Sequence, residues 1–155
     1  MAEAKPPNWG PLIPRFLLGI VFVFHGGQYL FGMFGAEPGA MERLAERIGA
    51  WGWSAPGLWA HAVGATQFFG GACLLAGLLT RFWASALAVM MAVGAVKAHG
   101  AAGFSYVHGG WEYNFVLGVL ALAVAVQGGG AFSLDETFFR GPGPSRDPSP
   151  PARGG

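Results

Sequence analysis

Residues 58–98 read LWAHAVGATQFFGGACLLAGLLTRFWASALAVMMAVGAVKA, and their only formal charges are Arg81, in the middle, and Lys97, next to the end. An α-helix rises about 1.5 Å per residue, so about 20 apolar residues cross the hydrocarbon core of a bilayer. The runs on either side of Thr80-Arg81 are each long enough to cross once, and so short a break permits only a tight helical hairpin. On the N-terminal side a further apolar run extends from Leu12 to about Phe34, with Arg15 at its start, where the aliphatic stem is expected to snorkel to the interface. On the C-terminal side Glu112 opens a fourth run, which continues to Gln127 and stops at Gly128-Gly129-Gly130. The pattern predicts an all-α membrane protein, a four-transmembrane-helix bundle. Alternating ten-residue segments of the β-barrel kind are absent. A cleavable signal peptide is disfavoured, because the first run is long and carries His25 and Gln28 at depth.

Composition agrees. The 155 residues are 53% hydrophobic and only 11% charged, whereas a soluble domain carries about 25% charge. A formal net charge of +1 with no basic patch argues against nucleic acid as a partner. Cys73 is the single cysteine, which excludes a disulfide, a CxxC redox pair, an iron–sulfur cluster and CxxCH haem attachment within this chain.

The chain divides into an N-terminal cytoplasmic segment (1–11), a four-helix membrane domain (12–130), an inner-face anchor (131–140) containing Phe132, Leu134, Phe138 and Phe139, and a disordered Pro/Gly-rich tail (141–155). Between the first two runs Met41, Leu44 and Ile48 recur at helical spacing opposite Glu42, Arg43, Glu46 and Arg47. This predicts a short amphipathic helix at the outer interface, followed by Trp51, Trp53 and Trp59. Lys5, Arg15, Arg81, Arg140, Arg146 and Arg153 fall on one side of the membrane; Arg43, Arg47 and Lys97 fall on the other. Basic residues are retained inside, so both termini are expected in the cytoplasm of a multi-pass protein of the inner membrane. Small residues at four-residue spacing, Ala84-Ala88-Ala92 and Ala60-Gly64, are expected to bring helices close together.

Polar groups inside a membrane are costly and mark function or helix pairing. His25 and Gln67 are expected near the midplane, Gln28 and Tyr29 about a turn further out, and Lys97, His99, Glu112, Tyr113 and Asn114 toward the outer ends of their helices. The expected picture is a polar pocket in the outer half and an almost apolar inner half. Each residue also has a structural reading: His25 bonds Gln67, Lys97 pairs with Glu112, and His99 and His108 are solvated loop residues. A b-type haem needs two imidazoles at equal depth and a zinc site three or four converging ligands. Neither pattern is present, so no haem, metal or iron–sulfur cluster is expected.

Several stretches together resemble the DoxX family. They are Arg15-Phe16-Leu17-Leu18-Gly19 and Phe24 to Gly32, then Gly64 to Gly71 with Leu74 and Gly77 to Arg81, and finally Gly103-Phe104, Gly109 to Asn114 and Gly130 to Asp135, in order over about residues 12–136. The resemblance implies a four-helix membrane protein related to the small membrane subunits of thiosulfate:quinone oxidoreductase, working in the lipid bilayer with other protein subunits of a membrane complex. Two departures stand out. Tyr29 occupies a position where the family usually has Lys, and Gln67 one where it usually has Glu, so a midplane carboxylate for proton transfer is missing. Two functions follow. In one, the outer pocket takes a quinone head group, with His25, Gln28, Gln67, Tyr113 and His99 as binding residues and Glu112, with Lys97, as the proton-carrying catalytic pair. In the other, the chain is a non-catalytic anchor or assembly subunit and the polar cluster only fastens helices.

Overall fold

The computed structural model describes residues 8–139. The expected tail (141–155), Arg140 and most of the N-terminal segment lie outside the described residues. Six α-helices and no strand occur among them: α1 (Leu12–Phe31), α2 (Ala40–Ala50), α3 (Pro56–Ala76), α4 (Thr80–Lys97), α5 (Glu112–Gln127) and α6 (Leu134–Phe139), with two 3-10 turns, Gly100–Ala102 and Tyr106–His108, between α4 and α5. The expected apolar runs and the amphipathic helix are therefore helical within a few residues of their anticipated bounds.

Local chemistry explains the ends. Gly32 takes a left-handed conformation (φ 62°) and its N–H reaches back to Gly27 O, stopping α1. Pro56 starts α3, where a missing N–H costs nothing, and Gly77 (φ 68°) ends it.

The four long helices form a ring in which α1 packs on α3, α3 on α4, α4 on α5 and α5 on α1. Leu18, Phe22, Leu74, Leu87, Leu117 and Val124 fill the middle. The α1–α3 seam is made of glycine. A Cβ on Gly71 would sit 2.7 Å from Val23 N and 2.9 Å from Gly19 O, and one on Gly26 would collide with the backbone of Phe68. The two backbones thus approach each other directly, which only residues without a side chain permit. Gly64 belongs to this seam as expected. The alanine stripe behaves differently: Ala84 is buried in the core, but Ala88 and Ala92 line an open groove, because Gly118 on the facing α5 is also too small to fill the space.

By length and apolarity together α1 qualifies as a membrane span, and α5 is apolar but only 16 residues long. Large apolar side chains stand exposed on all four long helices, including Ile13 and Ile20 on α1, Leu58 and Phe69 on α3, Val89 and Val96 on α4, and Val116 and Val126 on α5. The amphipathic α2 turns Ile48 inward, only 1% exposed. Trp51, Trp53 and Trp59 follow as an edge-to-face ladder with ring centroids 5.8 and 5.2 Å apart.

Candidate functional site

The antiparallel ring has two ends, and polar residues gather at both. At the end where α1 finishes, His25 Nδ1 and Gln28 Oε1 lie 3.3 Å apart. A carbonyl oxygen only accepts, so the ring nitrogen donates. The imidazole meets Tyr113 of α5 edge-on, with centroids 6.5 Å apart, and Phe24 packs on its other side. His25, Gln28 and Tyr113 are therefore brought together.

Four expected members, Gln67, Glu112, Lys97 and His99, are not. His25 does not bond Gln67, because Gln28, one turn along the same helix, already engages it. Gln67 lies between Gly64 and Gly71 on α3, 8% exposed, and its Oε1 has no hydrogen-bond partner among the described residues. Glu112 does not pair with Lys97, which is exposed. Its carboxylate accepts the Tyr106 N–H at 3.0 Å. The cause is the connection between α4 and α5, which folds back on itself: Glu112 N donates to Phe104 O (2.9 Å) and Trp111 N to Gly103 O (3.1 Å). His99 is held in the same loop by a 2.7 Å hydrogen bond to Gly109 O rather than facing a pocket.

Beside this cluster, a groove of about 530 Å³ runs between α4 and α5. It is lined by Ala88, Met91, Ala92 and Ala95 on one wall and by Asn114, Phe115, Gly118 and Leu122 on the other. Asn114 Nδ2 lies 3.7 Å from Met91 Sδ, and Asn114 is the one amide on an otherwise apolar lining. Asn114 follows Tyr113 in sequence, so α5 presents the His25 contact and the groove on adjacent faces.

The opposite end overturns the expectation of an apolar inner half. Arg15 does not snorkel: it is fully buried, and its guanidinium donates to Gly129 O at 2.7 Å and Phe132 O at 3.0 Å. Asp135 accepts the backbone N–H groups of Leu79 (2.7 Å) and Thr80 (2.9 Å), capping the start of α4 from outside the hairpin, while its own N–H donates to Gly77 O (2.9 Å). Ser133 Oγ donates to Gly130 O at 2.8 Å. The segment after α5 is thus sewn to the starts of both α1 and α4. An arginine that bonds carbonyls more than a hundred positions away cannot be recognised from local sequence, although a lone charge one turn into an apolar helix is the signal that something must satisfy it.

Among the described residues four helices pack together with large apolar side chains left exposed, and one of them, α1, is long and apolar enough to span a bilayer, which is the pattern of a small helical protein suited to a membrane. The DoxX family model matches residues 10–100, and the chain belongs to the DoxX family. No match was found among curated proteins or among solved structures.

Proposed function

We propose that this DoxX protein crosses the inner membrane four times, through α1, α3, α4 and α5, with both termini in the cytoplasm, and serves as the quinone-interacting subunit of a membrane redox complex. The observation that carries the reading is the groove between α4 and α5. It is mostly apolar, opened by the small Ala88, Ala92, Ala95 and Gly118, and lined by the exposed Val96, Val119 and Leu122, which suits an isoprenoid tail entering from lipid. Of the donors that suit quinone carbonyls, the Asn114 amide is on its lining, and the Tyr113 hydroxyl is one residue away on α5, on the ring that meets the imidazole of His25. Glu112 at the same end of α5 is the acid for proton delivery. Lys97, Gln67 and His99 join this reading only after a rearrangement of the side chains described above. Electrons would enter from a partner subunit.

Purification in mild detergent followed by solvent extraction tests it. The wild-type protein is expected to retain quinone, and Gly118→Leu, which fills the groove, to lose it while remaining folded. Equal quinone in both would overturn the reading. Reporter fusions after Arg81 should report cytoplasm and one near Glu46 the outside; the reverse would overturn the orientation.

The second reading, a non-catalytic anchor or assembly subunit, draws on a different feature. The connection between α4 and α5 exposes Phe104, Tyr106 and Val107, the last 85% exposed, beside the tryptophan ladder end of the molecule. A polypeptide retained with the wild-type protein but lost on Val107→Asp, with no quinone in either preparation, would favour it.

A further inference from the structure

Where α1 ends, the chain doubles back through residues 32–39 into α2 and leaves a crevice of about 220 Å³ between the two helices. Its lining is rich in hydrogen-bond donors. Arg43 and Arg47 stand one turn apart on the same face of α2. Arg43 Nη1 donates to Pro38 O at 2.6 Å, which pins the guanidinium across the turn and leaves its remaining N–H groups free to bond elsewhere. Arg47 has no partner among the described residues. From α1, Gln28 and Tyr29 form the opposite wall. Because the Gln28 carbonyl is taken by His25, its amide nitrogen is what it offers to the crevice. Glu37 is the one acid on this lining and forms no ion pair with either arginine among the described residues, so the lining itself carries an excess of one positive charge, while Glu42 borders the adjoining crevice that shares Gln28 and Tyr29 with it. The wall that bears the arginines is fixed, since Ile48 on the far side of α2 is buried to 1% exposure.

We infer that this crevice binds a phosphate-type oxyanion. The two guanidiniums supply planar, charge-assisted forks for its oxygens, and Gln28 Nε2 and the Tyr29 hydroxyl donate from the α1 side. The crevice lies at the end of α1, which is long and apolar enough to span a bilayer, so a lipid head group can reach it from the side and a free phosphate from the aqueous face. This anion site does not depend on the quinone reading, because it shares no wall with the groove between α4 and α5.

The test uses the full chain in nanodiscs. One arm compares discs containing phosphatidylglycerol with discs of phosphatidylcholine alone, reading by native mass spectrometry the lipid that stays bound after release. The other titrates inorganic phosphate into the phosphatidylcholine discs, reading binding by calorimetry. Saturable binding in either arm supports the site, and the arm in which it occurs identifies the source. Arg43→Gln and Arg47→Gln should each weaken it about tenfold, as expected for loss of one charge-assisted hydrogen bond. Both side chains are exposed, and the circular dichroism of these variants should match the wild type. Arg81→Gln, an equal change of charge at the other end of the molecule, should leave binding unchanged. Absence of saturable binding in both arms would overturn the inference. So would binding that Arg81→Gln weakens as much as the α2 changes do, since that marks general charge attraction.

Discussion

Arg15 and Arg47 sit at opposite ends of one bundle and meet opposite fates. Arg15 is buried completely and donates to two backbone carbonyls; Arg47 stands in the open beside a crevice, with no partner among the described residues. The same contrast holds for the acids. Asp135 accepts two N–H groups that the start of α4 would otherwise leave unpaired, whereas Glu37 lines the crevice without an ion pair. Arg15 Nε has no hydrogen-bond partner among the described residues, but the side chain is fully buried and nothing outside the chain can reach it, whereas the exposed guanidinium of Arg47 is open to a ligand. By that contrast the Arg15 end is the fastening of the molecule, and the other end carries the exposed groups on which the proposed sites rest.

The sharpest way to break this contrast is at Arg15. Arg15→Ala leaves two buried carbonyls without donors and frees the segment after α5, and should cost about 3 to 5 kcal/mol in reversible denaturation in detergent. A loss under about 0.5 kcal/mol, the range of inconsequential surface changes, would show that the latch fastens nothing. Arg15→Lys keeps the charge but cannot fork between Gly129 and Phe132, and should fall between the two.

Next in size is the glycine seam. Gly71→Ala places a methyl group against Val23 N and Gly19 O, both backbone atoms that cannot turn aside, so α1 and α3 must part at a cost of about 1 to 3 kcal/mol by the same measurement. Gly57→Ala, where a Cβ meets nothing within 4 Å, serves as the control and should be close to neutral.

Asp135→Ala removes the external cap of α4. The expected loss is about 1 kcal/mol, accompanied by faster amide exchange at Leu79 and Thr80. Unaltered exchange there would mean that the cap is dispensable.

The smallest effect is expected at Gln67, and it is the most discriminating. Its Oε1 is buried with no partner among the described residues, so Gln67→Leu should be neutral or slightly stabilising. A clear destabilisation, or loss of a retained ligand, would show that the amide is satisfied by something bound in the bundle, and would move Gln67 from the packing seam into the binding site.

The helices could be read from local chemistry: charge-free runs of about 20 residues, the glycines that stop the fourth run, and the apolar spacing of Met41, Leu44 and Ile48 are set by backbone conformation and hydropathy within a few residues. Family membership was equally legible, because the motifs from Arg15 through Arg81 lie in order along the chain. The partners of the polar side chains were decided only by tertiary structure. His25 turned to Gln28 rather than Gln67, Glu112 to the Tyr106 N–H rather than Lys97, and Arg15 to Gly129 and Phe132 rather than the interface. Each choice depends on helix rotation and on how a connecting loop folds, and similar depth in a membrane does not specify either. A shift of one residue turns a side chain by about 100°, so it can leave one neighbour for another while every helix boundary stays where the sequence put it.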